Sequence, residues 1–232
     1  MDIFLYIVQI IGIVSFAAAG AMVAIDKETD LFGVVFLSVI TCFGGGLIRD
    51  VIVSEGLPAF FGMHLEILIA VLTSLTVFLA AKLFRREYVA EIDTVNRINN
   101  VLDALGLGVF AASGTAVCIH LGPLVAIIMG MLSSVGGSLT RDIILNDIPF
   151  ILRKRIYAVA VLVGSSLYYV ISEILLPELE SADVFATLAC MASILIIRMC
   201  ATHFKWNLPK AIIFDKEEHS SSTDKRESVA KH

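Results

Sequence analysis

The sequence predicts an all-α membrane protein of seven transmembrane helices, built as two inverted three-helix repeats plus one extra C-terminal helix. Three observations predict this fold. The composition is 58% hydrophobic and only 17% charged, and the mean hydropathy of +0.89 is far above that of an ordinary soluble domain. The apolar residues form seven runs of membrane-spanning length. A pair of motifs recurs in the same order in both halves of the chain.

The seven apolar runs have the length that a bilayer demands. A hydrocarbon core of about 30 Å requires roughly 20 residues of helix at about 1.5 Å per residue. We number the predicted spans 1 to 7 in chain order; they cover residues 3–25, 31–53, 64–83, 101–119, 123–145, 156–176 and 183–200. The polar connections divide the chain into a first repeat at 1–83, a cytoplasmic linker at 84–100, a second repeat at 101–176, a seventh helix at 177–202 and a disordered cytoplasmic tail at 203–232.

Basic residues are concentrated in alternate connections. One side of the predicted membrane carries Lys27, the cluster at 82–97 and the run at 153–155, whereas the other side carries at most Arg49. Because cytoplasmic loops are enriched in Lys and Arg, the sequence predicts a cytoplasmic C-terminus and an N-terminus outside. The run at 153–155 and Arg198, near the end of span 7, are predicted to anchor helix ends at the anionic cytoplasmic surface; contact with a lipid headgroup is the alternative.

The two halves of the chain repeat a pair of motifs. Residues 16–20 (Phe-Ala-Ala-Ala-Gly) in span 1 correspond to residues 110–114 (Phe-Ala-Ala-Ser-Gly) in span 4. Residues 44–50 (Gly-Gly-Gly-Leu-Ile-Arg-Asp) in span 2 correspond to residues 136–142 (Gly-Gly-Ser-Leu-Thr-Arg-Asp) in span 5. Each copy contains three spans, an odd number, so the second copy enters the membrane from the opposite side. Such inverted repeats are typical of transporters and some channels.

The glycine clusters of spans 2 and 5 have two interpretations. Consecutive glycines weaken a helix by about 1 kcal/mol each relative to alanine and favour a kink, whose carbonyls can line a water-filled path. The same glycines can instead allow two helices to pack closely. The candidate pore or hinge positions in these clusters are Gly44, Gly45, Gly46, Gly136, Gly137 and Ser138.

An Arg-Asp pair follows each glycine cluster, at Arg49-Asp50 and at Arg141-Asp142. Charges at membrane depth cost from about 2.5 kcal/mol and normally face a cavity or a partner, although Arg near a helix end also reaches the interface easily. Both pairs are therefore candidate pore residues, one toward the outer face and one toward the cytoplasmic face. Hydroxyls near the glycines can hydrate an ion or bond the carbonyls of the preceding turn. They belong to Ser38, Thr41, Ser133, Ser134, Ser138 and Thr140.

Several classes of function lack support in the sequence. The four cysteines and five histidines show no metal-ligand spacing and no nucleophilic arrangement, so we predict no metal site, no cofactor and no enzymatic activity. The basic residues lie in short clusters beside apolar runs rather than along one exposed face. We therefore predict no nucleic-acid partner.

The doubled motif at 44–50 and 136–142, in a chain of seven spans, resembles the prokaryotic TRIC channels, the trimeric intracellular cation channels. The resemblance covers about residues 3–200. It implies a homotrimer in the bacterial inner (plasma) membrane, in which every protomer has its own pore for monovalent cations, chiefly potassium. It also implies that kinked spans 2 and 5 line this pore and that span 7 lies outside the repeat. Residues 43–46 (Phe-Gly-Gly-Gly) lack the charges that are linked to phosphoinositide binding in eukaryotic members.

The resemblance leaves two functions open, because the same bacterial domain is also known as a glycine-transporter domain. The leading prediction is a passive potassium channel, with potassium or another monovalent cation, membrane lipid and further copies of the chain as its partners. The alternative is a secondary transporter of glycine or another small zwitterion. Helix N-termini or an Arg would then hold the carboxylate of the substrate.

Overall fold

The computed structural model describes residues 3–53, 56–153, 156–179, 181–204 and 206, and this part of the chain folds into helices joined by short turns. Seven of the helices are long and apolar enough to cross a membrane, which confirms the predicted fold class. The observed spans 1 to 7 are Ile3–Asp26, Leu31–Val53, His64–Leu83, Ile92–Val117, Pro123–Ile144, Ile156–Leu175 and Ala182–His203. Most of the predicted tail, at 207–232, lies outside the described residues.

Short helices connect several of the spans. Ala59–Gly62 and Ile119–Leu121 form 3₁₀-helices, while Arg85–Ala90 and Phe150–Arg153 form short α-helices. Span 6 changes from an α-helix to a π-helix at Val170–Leu175. The connections are therefore compact, and little of the described chain is irregular.

The predicted linker at 84–100 is largely helical. It contains the short helix Arg85–Ala90, and span 4 begins at Ile92 rather than at Val101. Hydropathy gives only the part of a helix that lies in lipid, whereas the helix itself continues into water as long as its backbone bonds form. Span 7 likewise continues to His203, beyond its predicted end.

Turn residues determine where spans 2 and 5 begin. Asp30 caps span 2, since its Oδ1 accepts the backbone N–H of Gly33 at 2.7 Å. Span 5 begins at Pro123, which follows Gly122 with a φ of 91°. Glycine adopts this left-handed conformation without strain, and proline is favoured in the first turn of a helix.

Spans 2 and 5 cross backbone against backbone at their glycine clusters. A Cβ on Gly45 would overlap the carbonyl oxygen of Ser133, and a Cβ on Gly137 would overlap that of Thr41. A Cβ on Gly44 would lie 3.2 Å from the Cα of Gly137. Both helices run through their clusters as single α-helices. These contacts show that the glycines serve close packing of the two helices.

The contacts at the crossing are reciprocal, as an inverted repeat requires. Gly45 and Gly137 occupy equivalent positions in the two repeats, and each packs on the equivalent carbonyl of the opposite span. The equivalent rings of Phe16 and Phe110 stack on each other, with 5.2 Å between their centroids and 5° between their planes. Contact between Phe16 and its own counterpart, together with the reciprocal glycine contacts, places the crossing beside a pseudo-twofold axis.

Span 7 packs outside the two repeats, against spans 4 and 6. Gly108 of span 4 fits against Met191, and Gly164 of span 6 fits against Ile194. The outer surface of the bundle carries exposed leucines, such as Leu72 of span 3. Lipid tails cover this kind of surface in a membrane.

We predict that Gly45→Ala destabilises the protein by about 1–3 kcal/mol, because an added methyl group must push span 2 away from the carbonyl of Ser133. Thermal unfolding of the purified protein in detergent measures the loss. Gly46→Ala is the matched control, since its Cβ would meet no atom closer than Arg49 Nη2 at 3.9 Å. Equal melting temperatures for the two variants would contradict the packing role of Gly45.

Candidate permeation site

The Arg-Asp motifs form two buried ion pairs with the same geometry. Arg49 Nε and Nη2 both donate to Asp50 Oδ1, at 2.8 and 2.6 Å. Arg141 Nε and Nη2 both donate to Asp142 Oδ1, at 2.9 and 2.7 Å. The four side chains are only 4 to 11% exposed. The charges therefore lie mostly inside the protein, and each has a partner of opposite sign.

The first pair also holds the connection between spans 2 and 3. The free oxygen of its carboxylate, Asp50 Oδ2, accepts the backbone N–H of Ala59 at 2.9 Å. Ala59 is the first residue of the 3₁₀-helix Ala59–Gly62. A carboxylate that binds both a guanidinium and a backbone N–H has most of its acceptor capacity satisfied, which reduces the cost of burying it.

A cavity of about 50 Å³ borders the first pair, and we call it the Arg49 cavity. Gly46 lines it, and the absence of a side chain there leaves open space next to Arg49. Gln9 and Ser113 line this cavity and also line a second one of about 210 Å³, which extends toward span 7. Polar side chains at the boundary of two cavities make this side of the crossing suitable for water.

The second pair lies beside a buried polar network that we call the Asp103 network, formed by Asp103, Ser138, Tyr157 and Arg198. The Tyr157 hydroxyl donates to Asp103 Oδ1 at 3.2 Å and lies 3.1 Å from Ser138 Oγ. Arg198 Nη2 donates to Asp103 Oδ2 at 3.1 Å. The network joins spans 4, 5, 6 and 7, and it occupies the end of the bundle opposite the Arg49 cavity.

The Asp103 network is closed to water. All four of its side chains belong to buried residues, with exposures from 1 to 8%. The Arg198 guanidinium also lies 4.5 Å from the centroid of the Tyr157 ring, an arrangement that stabilises a cation. Its Nε has no hydrogen-bond partner among the described residues. Removing one partner of such a pair leaves an uncompensated buried charge.

The two halves of the site differ although their backbones are equivalent. Ser138 occupies the position of Gly46, and its hydroxyl reaches Tyr157 where Gly46 leaves a cavity. Gln9 precedes Phe16 by as many residues as Asp103 precedes Phe110. An amide on one side thus corresponds to a carboxylate on the other, so only the second half needs a further cation.

Sequence reasoning missed the Asp103 network. Arg198 was predicted to anchor span 7 at the membrane surface, and this is wrong, because the residue is 3% exposed and paired with Asp103. A lone carboxylate within a predicted span was the available signal. Tyr157 gave no signal, since a tyrosine in an apolar run is ordinary. The side chains of residues 153–155 lie outside the described residues.

The candidate hydroxyls mostly bond the preceding turn of their own helices. Ser38 donates to the Val34 carbonyl at 2.7 Å, and Thr41 donates to the Leu37 carbonyl at 2.6 Å. Bonds of 2.8 to 3.0 Å to carbonyls three or four residues earlier are made by Ser134, Ser138 and Thr140. Ser133 Oγ is buried without a partner in the described part of the chain.

Comparison with known proteins agrees with this architecture. A family model described as "Glycine transporter" matches residues 6–82 and 100–173. The membrane protein YvgT of Bacillus subtilis is 32% identical over 88% of this chain and 94% of its own length. The inner membrane protein YadS of Escherichia coli is 34% identical over the same shares of the two chains.

Solved structures of TRIC channels have the same fold. One, from work on conductance through TRIC cation channels, is 32% identical and superposes with a TM-score of 0.77, covering 92% of this chain and 100% of that one. A prokaryotic TRIC channel crystallised in 0.5 M KCl is 28% identical with a TM-score of 0.76, covering 90% of this chain and 100% of that one.

The inverted repeats and the paired buried charges thus define a polytopic membrane protein of the channel and transporter class. Within that class, the chain belongs to the family that the "Glycine transporter" model describes, and its fold is that of the TRIC channels. The resemblance inferred from the doubled Gly-rich and Arg-Asp motifs is confirmed.

We predict that Arg198→Met destabilises the protein by about 3–5 kcal/mol, because it leaves the Asp103 carboxylate buried without its cation. The double variant Asp103→Leu/Arg198→Met should recover most of this loss, since it removes both charges together. Chemical unfolding in detergent measures the four corners of the cycle. Lys27→Met is the matched control; its ion pair with Asp147 is partly exposed and should be worth less than about 1 kcal/mol. Additive losses in the double variant would contradict the pairing.

Proposed function

We propose that this protein is a passive, potassium-permeable cation channel of the bacterial inner membrane. The proposal rests on the similarity to solved TRIC cation channels. This similarity covers 92% of the chain at 32% sequence identity. The relatives of this chain include an inner membrane protein of Escherichia coli. By the same similarity, the working unit is a homotrimer with one path in each protomer.

The proposed path follows spans 2 and 5 across the centre of each protomer. The Arg49 cavity gives it a polar entrance, where Gly46 leaves room for water beside an ion pair with no net charge. The Asp103 network blocks the other end and must rearrange for ions to pass. The pore or hinge residues are Gly44, Gly45, Gly46, Arg49, Asp50, Gly136, Gly137, Ser138, Arg141 and Asp142.

A secondary transporter of glycine is the second candidate, and the description of the matching family model favours it. A glycine molecule carries one carboxylate and one ammonium group. The Arg49-Asp50 pair offers a guanidinium for the carboxylate of glycine and a carboxylate for its ammonium group, both beside a cavity. A carrier would saturate with substrate and respond to a sodium or proton gradient, whereas a channel would do neither.

We predict single-channel currents in planar bilayers that contain the purified protein under a potassium chloride gradient. The reversal potential should lie near the potassium potential, and glycine on one side should not change it.

Arg49→Ala should change the unitary conductance by about twofold or more, because it exposes the Asp50 carboxylate to the Arg49 cavity and so alters the potential there. Arg97→Ala is the matched control, since Arg97 is exposed at the start of span 4.

Two results would contradict the channel proposal and the role of the ion pairs separately. Electrical silence together with glycine uptake into liposomes would replace the channel by the carrier. Potassium currents that Arg49→Ala and Arg141→Ala leave unchanged would keep the channel but remove both pairs from its path.

The proposed orientation has the N-terminus outside and the C-terminus in the cytoplasm, because the end of span 1 beside Lys27 and the basic cluster at 82–97 lie at the same end of the bundle. We predict that a C-terminal green fluorescent protein fusion is fluorescent in bacteria and that a C-terminal alkaline phosphatase fusion is inactive. The reverse pattern would invert the topology, and it would exchange the outer and cytoplasmic ends of the site.

A further inference from the structure

A large cavity lies away from the candidate path, where spans 1 and 3 end and the short helix Arg85–Ala90 begins. It measures about 470 Å³, and we call it the span 1–3 cavity. Its apolar wall includes Ile25, Phe78, Ala81 and, at the start of span 4, Ile92. Because two spans end here, the cavity lies at the level where lipid headgroups meet the hydrocarbon core.

The rim of this cavity carries two basic and two acidic side chains. Lys82 and Arg85 stand on span 3 and the short helix, while Asp26 and Glu28 stand at the end of span 1. All four are exposed, and in the described part of the chain no carboxylate lies within ion-pair distance of either basic group. The rim therefore offers two cations and two anions that remain available to a ligand.

Tyr88 holds Asp26 in position on the acidic side of the rim. Its hydroxyl donates to Asp26 Oδ1 at 3.2 Å, which joins the short helix to the end of span 1. Burial and the neighbouring Asp26 carboxylate raise the pKa of the Tyr88 phenol, so it stays protonated and keeps donating at neutral pH. One carboxylate oxygen of Asp26 is thereby engaged, and the other remains free to accept a second donor.

We propose that the span 1–3 cavity binds the headgroup of a zwitterionic phospholipid of the phosphatidylethanolamine class. Lys82 and Arg85 bind its phosphate, and Asp26 and Glu28 bind its ammonium group. The apolar wall accommodates the glycerol and the first methylenes of the acyl chains. The site is independent of the proposed channel path.

Charge balance selects this lipid over an anionic one. Phosphate favours Lys and Arg, and an ammonium group with three N–H donors favours carboxylates. A phosphatidylglycerol headgroup supplies only the negative charge, so it would leave Asp26 and Glu28 without a partner and would be repelled by them. The apolar wall likewise favours a whole lipid over free phosphoethanolamine. Contact with this wall stabilises the complex only when the ligand has hydrocarbon to bury there.

Native mass spectrometry of the purified full-length protein, with phosphatidylethanolamine or phosphatidylglycerol added, tests the proposal. We expect the wild type to retain phosphatidylethanolamine about tenfold more strongly than phosphatidylglycerol. The variant Lys82→Ala/Arg85→Ala should lose this retention. The variant Asp26→Asn/Glu28→Gln should lose the preference and bind phosphatidylglycerol at least as well. Arg86→Ala is the matched control, because Arg86 is an exposed neighbour of Arg85 that does not line the cavity.

The experiment tests the lipid site independently of the proposed channel, because it measures lipid retention and not ion currents. Unfolding of the variants is checked by their melting temperatures in detergent, and the rim residues are exposed enough to change without disturbing the core. Equal retention of the two lipids by the wild type would overturn the proposal. Displacement of the lipid by water-soluble glycerophosphoethanolamine at equal concentration would also overturn it, since the apolar wall would then contribute nothing.

Discussion

The rest of the structure depends on the contact between the backbones of spans 2 and 5. Gly45 packs on the carbonyl of Ser133, and Gly137 packs on that of Thr41, so any side chain at these glycines would separate the spans. In lipid there is little hydrophobic gain from bringing helices together, and close packing of small residues supplies the attraction instead. Because the contact is reciprocal, one motif that occurs twice creates the whole interface. The crossing then fixes the positions of both Arg-Asp pairs. In span 2 and in span 5, the pair follows the glycine cluster by about one helical turn.

The symmetric backbone holds an asymmetric set of charges. Both Arg-Asp pairs have the same geometry, and each forms between two adjacent residues of one span. The first repeat adds a cavity at Gly46, whereas the second adds Ser138 and a carboxylate at Asp103. A cavity and a cross-linked polar network respond differently to movement of the crossing, because the cavity deforms freely and the network must break hydrogen bonds. The two ends of the proposed path therefore contribute unequally to its closure.

The sequence was sufficient for the fold, whereas the role of the pore or hinge residues stays a prediction. Length and hydropathy predict the seven spans because lipid requires about 20 apolar residues in each crossing, and the doubled motif predicts the inverted repeat. Neither signal can show that span 4 begins at Ile92, since its first turns lie outside the apolar layer. The role of Arg198 was also beyond the sequence, because an Arg near a helix end is compatible with the interface and with a buried partner. Only the position of Asp103, on a span far away in the chain, distinguishes these two environments.

Span 7 lies outside the repeat, yet the charge balance of the second half depends on it. Asp103 is buried on span 4, and the guanidinium that binds it comes from Arg198 of span 7. The equivalent position of the first repeat holds Gln9, a neutral residue, which needs no such cation. A chain with only the six repeated spans would leave the Asp103 carboxylate without this partner in a site that excludes water. The carboxylate and the extra span therefore form one structural unit. In this unit the accessory helix compensates a charge that only one of the two repeats carries.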